Sequence, residues 1–206
     1  MKLILNIFPR PWLIRLSIWF LPLIKIYYSG RRFIDPIDGS SYRKFLPYGY
    51  QKLRKNALCP GTLSLERHRL LWLYLERETN FFKKKLNVLH IAPEQVFFKK
   101  FKNFENWNYT TCDLNSPLAD IKSDICNLPF KNNFFDLILC NHVLEHIPDH
   151  NKAISELYRI LKKGGILIAQ VPIDFSKEKT FEDFNITNIK DRNKLFGQYD
   201  HVRIYG

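Results

Sequence analysis

Between Leu86 and Val171, short apolar runs alternate with polar stretches, and three of the runs end on a polar or acidic residue. Leu86–Ile91 (LNVLHI) leads into Ala92-Pro93-Glu94, residues 109–112 (YTTC) end on Asp113, and residues 135–140 (FDLILC) end on Asn141 and His142. Runs of this length and composition predict buried strands. A 3.6-residue period predicts a helix over residues 150–163, with Ile154, Leu157, Tyr158 and Leu161 on one face. Gly164-Gly165 should stop it, and a further strand is predicted over residues 166–171. Strand, helix and strand at this spacing predict an α/β fold with a mostly parallel sheet and flanking helices. In such sheets ligands bind beyond the carboxyl ends of the strands, where these polar residues cluster.

Upstream the pattern changes. Residues 1–33 hold Lys2, Arg10, Arg15, Lys25, Arg31 and Arg32 and no acidic residue, which is half of the net charge of +12. Between these charges lie Trp12, Leu13, Leu16, Trp19, Phe20, Leu23 and other apolar residues. The longest uncharged run, residues 16–24, is far short of the roughly 20 residues a spanning helix needs, and Pro22 interrupts it. No small-residue cleavage site follows, which argues against a signal peptide. Aromatic residues mixed with Arg and Lys fit a helix lying on an anionic membrane surface; packing on the rest of the protein is the alternative.

The stretch from Leu86 to Val171 resembles the class I S-adenosylmethionine-dependent methyltransferases, in the type 11-like branch with a "VLEH" segment. The resemblance rests on Asp113, the run from Asp124 to Phe130 (DICNLPF), Phe134-Phe135-Asp136, the segment from Asn141 to Pro148 with Val143-Leu144-Glu145-His146, and the run from Leu157 to Gly165. It implies a Rossmann-like fold, S-adenosyl-L-methionine as cofactor, and methyl transfer to a small or lipid-like acceptor that the residues do not identify. An acidic residue ending the second strand can accept both hydroxyls of a ribose, and Asp113 is placed for that. The resemblance gives Asp124 the adenine amino group, Ile125 a backbone contact to the ring, and further contacts to His90, Ala92, Leu114 and Asn141. Asp113 and Asp124 are equally residues of turns and helix starts.

The first loop departs from the wider family, which carries an acidic residue and then a glycine-rich turn. Here the run is His90-Ile91-Ala92-Pro93-Glu94, without glycine. Phosphate-bearing cofactors need glycines there, so that backbone N–H groups can approach the phosphate, and the loop argues against NAD, FAD and ATP. S-adenosylmethionine carries no phosphate. The resemblance extends to proteins with this "HIAPE" loop, in which Glu94 would meet the amino group of the methionine end; a helix-start glutamate is the alternative.

His142-Val143-Leu144-Glu145-His146 also matches the H-x-x-E-H pattern of zinc peptidases. That pattern must lie within a helix, whereas here it follows a predicted strand and precedes Pro148, and no third ligand is evident. A metallopeptidase is therefore a distant alternative; His142 or His146 could be a general base near the acceptor, and His142 is taken as the candidate. Methyl transfer needs mainly alignment of an acceptor lone pair with the methyl group, so no catalytic residue has to stand out.

At Asp35, Asp38, Cys59 and Thr62 the resembling proteins carry paired Cys-x-x-Cys knuckles, the spacing of a structural zinc. With one thiol left, no metal is expected, and the small subdomain should be held by Phe45, Leu46, Tyr48 and Tyr50. Arg67, His68 and Arg69 open a helix and are candidates for an anionic acceptor site. Cys59, Cys112, Cys126 and Cys140 lack paired spacing and read as reduced thiols of a cytoplasmic protein. A pI near 9.5 permits nucleic-acid binding, but no aromatic–basic RNA motif supports it.

These readings divide the chain into an amphipathic segment (1–30), a degenerate knuckle-like subdomain with a helix (31–82), and a methyltransferase domain (83–206). Past residue 171 no stretch reads as the antiparallel hairpin that flanks the fifth strand in the family, so those strands are expected to be missing. Either the sequence is a fragment or the fold is shortened, and with the altered loop this leaves a non-catalytic cofactor-binding or interaction module as the main alternative to an enzyme.

Overall fold

A computed structural model describes residues 21–49, 53–117 and 119–206, and the described residues form two compact units, one up to Asn80 and one from Phe81. Most of the expected membrane-surface segment, residues 1–20, lies outside the described residues, as does Tyr50. Among the described residues no helix is long and apolar enough to cross a membrane.

In the first unit, helical residues 21–28 lead into β1 (Ser29–Ile34), which pairs antiparallel with β2 (Ser41–Tyr42). A second antiparallel pair, β3 (Leu46–Tyr48) and β4 (Arg54–Leu58), precedes helix α1 (Glu66–Arg77). The core is built on Tyr42, Phe45 and Cys59, with Tyr28 and Phe33 packed against them. Leu46 and Tyr48 are only half-buried. The expected core is thus corrected toward Tyr42, which the alternation along a two-residue strand is too short to reveal.

The two knuckle loops do approach one another, around hydrogen bonds. Asp35 is fully buried; its Oδ1 accepts the Ile37 N–H (3.0 Å), and its Oδ2 accepts the hydroxyls of Thr62 and Ser64 (2.9 Å for Ser64). Burial pushes the Asp35 carboxyl up, but these donors and Cys59 outweigh it and hold the group below its ordinary value. Asp38 turns to Ser40 N (2.9 Å) and Lys25 (3.7 Å) instead. The Arg69 guanidinium clamps the same subdomain from α1, donating to Ser64 O (2.7 Å) and Ala57 O (3.0 Å) over the Phe45 ring. His68 is buried, with Nδ1 accepting the Leu65 N–H (3.1 Å) at the helix start. Arg69 and His68 are therefore structural, a correction to their candidacy for acceptor binding.

The second unit alternates β5 (Leu86–Ile91), α2 (Gln95–Lys102), β6 (Trp107–Asp113), β7 (Ile121–Lys122), β8 (Phe135–Asn141), α3 (His150–Ile160) and β9 (Leu161–Gln170). The strands form one parallel sheet in the order β7-β6-β5-β8-β9. This is the Rossmann-like α/β sheet expected from the strand–helix alternation. β5 and β8 lie at its centre, and their near-continuous apolar runs follow from burial on both faces. After β5 the chain extends the sheet in one direction, then returns to place β8 on the other side. The carboxyl ends of β5 and β8 thus border a switch point, where α/β sheets open a crevice.

Helix α3 ends three residues before the expected stop and is rotated. It buries Ala153, Leu157 and Ile160, while Ile154 and Tyr158 are exposed. Asp149 caps its start through Lys152 N (3.0 Å). Its last carbonyls are claimed by the approach to β8: Asn133 N donates to Arg159 O (3.0 Å) and Phe134 N to Ile160 O (2.8 Å). Leu161 then joins the sheet opposite Phe135, and a bulge through Gly164 (φ +78°) restores pairing at Ile166 opposite Leu137.

Downstream, β10 (Phe181–Glu182), α4 (Ile189–Phe196) and β11 (Arg203–Ile204) follow, and β10 pairs antiparallel with β11. Among the described residues no hairpin pairs with β9, the edge strand of the parallel sheet. The short β10–β11 pair forms a sheet of its own, which no run of apolar alternation announces because each strand has two residues.

Candidate functional site

Three chain segments meet at the carboxyl end of the sheet: the turn after β5, the turn after β6, and the turn after β8. Two of them carry strained backbone. Ala92 (φ +48°) follows β5 and His142 (φ +53°) follows β8, both in the left-handed region that side chains disfavour. Each is held there by the sheet, with Ala92 N donating to Cys112 O (2.9 Å) and His142 N to Gln170 O (2.8 Å). Strain of this kind concentrates where a backbone is held for function. Ala92 occupies a conformation for which the wider family uses glycine. Ala92→Gly is accordingly expected to keep stability within about 1 kcal/mol of the parent, on the stabilising side, and Ala92→Val to lose about 1–3 kcal/mol. Denaturation midpoints of the two variants check this; equal tolerance of valine would refute it.

A small cleft of about 120 Å³ lies between these turns. Five of the expected cofactor contacts line it: Ala92, Asp113, Leu114, Asp124 and Ile125. Val143 and Ile147, from the turn after β8, supply an apolar wall that the sequence reading did not assign. Their only sequence signal is a pair of β-branched residues flanking the Leu144-Glu145-His146 turn. Asp113 Oδ1 accepts Asn115 N (2.7 Å) and Ser116 N (2.6 Å), which shapes the loop after β6. Its Oδ2 takes no hydrogen bond from the described residues, so the turn role and a ligand role use different oxygens. Asp124 Oδ1 likewise caps Cys126 N (2.8 Å).

His90, Glu94 and Asn141 form a second group beside the cleft. His90 is fully buried, with the Tyr109 hydroxyl 2.8 Å from Nδ1 and Glu94 Oε2 2.6 Å from Nε2. Burial, then the carboxylates of Glu94 and Asp120, push the Tyr109 phenol far above its ordinary value, so it remains a neutral donor. The tautomer that satisfies all three groups has Tyr109 donating to Nδ1 and Nε2–H donating to Glu94. His90 is therefore placed behind Glu94, where it orients the carboxylate and does not line the cleft. Asn141 Nδ2 reaches the same Glu94 oxygen at 3.4 Å, while its buried Oδ1 has no hydrogen-bond partner among the described residues.

His142 stands next to this group. Its Nδ1 lies 3.0 Å from Oε1 of the fully buried Glu145, a carboxylate that fixes the ring as an orienting partner does for a base. The H-x-x-E-H stretch itself forms a turn followed by a short 3-10 helix, Leu144–His146, and not the α-helix a zinc peptidase requires. The four cysteines are free thiols; burial pushes Cys112 to about 11 and Cys140 to about 12, which keeps both protonated at neutral pH.

A model of the methyltransferase domain family matches residues 78–169, the stretch that supplies the sheet and all three turns. An uncharacterized protein of Methanocaldococcus jannaschii is 50% identical over 105 residues, covering 50% of this chain and 40% of that protein. A ubiquinone/menaquinone biosynthesis C-methyltransferase of Pectobacterium carotovorum is 44% identical over 50 residues, 24% of this chain and 19% of the enzyme. The chain thus spans less than half the length of these relatives. Among solved structures, a SAM-dependent methyltransferase from Aquifex aeolicus is similar with a TM-score of 0.40 and 16% identity, over 52% of this chain and 71% of that one. Residues 78–169 thus match the methyltransferase domain family, and they carry the Rossmann-like parallel sheet.

Proposed function

We propose that this protein binds S-adenosylmethionine in the cleft after β5 and β6 and transfers its methyl group to an acceptor presented beside the turn after β8. The observation that carries this reading is the convergence of Ala92, Asp113, Leu114, Asp124 and Ile125 on one cleft at the carboxyl end of the sheet. The residues present fit the cofactor. Asp113 offers Oδ2 to ribose hydroxyls, and Ile125, Val143 and Ile147 offer apolar surface to a purine ring. The Glu94 carboxylate and the buried, unpartnered Oδ1 of Asn141 are acceptors suited to the ammonium of a methionine end. When bound, S-adenosylmethionine supplies a sulfonium-activated methyl group. The chain's own task is then to hold the donor, exclude water and align the acceptor. His142, oriented by Glu145, is the group we assign to remove a proton from an acceptor that needs it.

Titration with S-adenosylmethionine and its demethylated product tests the reading. Saturable binding of both, with none of NAD, is expected; failure to bind either would overturn it. Release of labelled methyl groups onto an acceptor from cell extract then separates an enzyme from a module that only binds cofactor.

Membrane-surface contact through residues 1–30 is part of the same proposal. It draws support from the described end of that segment, where Leu23, Ile26 and Tyr27 are exposed beside Lys25. A lipid-like acceptor would follow from it.

A further inference from the structure

We propose that Glu145, His146 and His201 form a binding site for a divalent transition-metal ion of the zinc class. Their ligating atoms lie within 4.8 Å of one another, close enough for one ion to engage all three. No other group of three or more such residues occurs among the described residues. The proposal goes beyond methyl transfer and does not depend on it.

Two features set this cluster apart from a chance meeting of side chains. Glu145 is fully buried, and its Oε2 has no hydrogen-bond partner among the described residues, while Oε1 is taken by His142 at 3.0 Å. A buried carboxylate oxygen without a donor is costly, and a cation is the ligand that satisfies it. His201 is also buried, and its Nδ1 lies 3.0 Å from Phe196 O. A nitrogen facing a carbonyl must carry the proton, so Nε2 presents its lone pair. This is how metal-binding histidines are oriented, by a carbonyl on the opposite nitrogen. The His146 ring stands edge-on to His201 with centroids 4.7 Å apart, and its Nδ1 lies 3.4 Å from Asp200 O.

The fold assembles the ligands from distant parts of the chain and holds them. Val202 N donates to Glu145 O (3.0 Å), and the Arg203 guanidinium grips the carbonyls of Leu144, Ile147 and Pro148. The segment carrying His201 is thereby fastened to the turn carrying Glu145 and His146. Two imidazoles and one carboxylate suit zinc, iron(II) or cobalt(II), and discriminate against magnesium and calcium, which prefer all-oxygen sites. His146 and Asp200 are partly exposed, so the ion would be reached from solvent and keep a position for water or another ligand.

The test is titration of the metal-free full-length protein with cobalt(II), followed by its visible absorption, and with zinc by calorimetry. One ion per chain and a spectrum of low-coordinate cobalt are expected. His201→Ala should weaken binding by more than about 100-fold, the upper end for loss of an outer-shell partner. His142→Ala, which removes only the group orienting Glu145, should weaken it by about 10- to 100-fold. Asp38→Asn, in the knuckle-like loop, should leave it unchanged. Should His201→Ala fail to fold, His201→Gln serves in its place. Absence of stoichiometric binding in the parent protein overturns the proposal, as does binding that survives loss of His201 or that is lost in Asp38→Asn.

Discussion

Arg203→Ala should destabilise the second unit by about 3–5 kcal/mol, the scale for leaving several buried polar groups without their donor. The guanidinium is almost fully buried, pairs with Glu182 at 2.9 Å, and donates to Leu144 O (2.7 Å), Pro148 O (2.8 Å) and Ile147 O. Alanine would leave three carbonyls without their donor and a cavity where the side chain lay. Arg203→Lys should recover only part of the loss, because one ammonium cannot reproduce a planar fork. Denaturant-dependent hydrogen exchange in β5 and β8 reads this unit by itself. A parental exchange profile in Arg203→Ala would show that the guanidinium carries little of the stability.

The second large effect is on ligand affinity. Asp113→Ala should weaken binding of S-adenosylmethionine and its demethylated product by on the order of 1.5–3 kcal/mol, the scale of hydrogen bonds to a charged group. In affinity this is roughly 10- to 150-fold. Because Oδ1 also shapes the turn through Asn115 and Ser116, Asp113→Asn is the informative companion. Asparagine keeps an acceptor for the turn and changes what is offered to a diol. If Asp113→Asn binds as the parent does while Asp113→Ala does not, the residue acts through the loop and not on the ribose. Unchanged affinity in both variants would remove the assignment.

Much of the sheet was legible in the sequence because its signals are local. β5 spans the residues predicted for it, and β6 and β8 differ from the prediction by one or two residues at their ends. A buried parallel strand must be apolar throughout, and it must stop where polar side chains emerge into the crevice. The same rule put Asp113 at the mouth of the cleft, and it directed attention to the turns after β5 and β8. The loop without glycine was legible too. What could not be read is that Ala92 would accept a left-handed backbone, which the sheet imposes through Cys112.

Periodicity put Ile154, Leu157, Tyr158 and Leu161 on the inner face of α3, and Ile154 and Tyr158 are instead exposed. The sheet selected the stripe of Ala153, Leu157 and Ile160, and the carbonyls claimed by Asn133 and Phe134 set where the helix ends. The expected ligand role of His90 could not be separated by sequence from the positioning role that its burial behind Glu94 imposes. The knuckle spacing brought Asp35, Cys59 and Thr62 together, yet hydrogen bonds to one buried carboxylate now join the loops. His201 and Arg203 gave no signal at all, since each acts on a turn more than fifty residues away. Composition and period thus determine which segments are strands and where a crevice opens. Which side chains face each other across it depends on long-range closure of the chain, which has no local pattern.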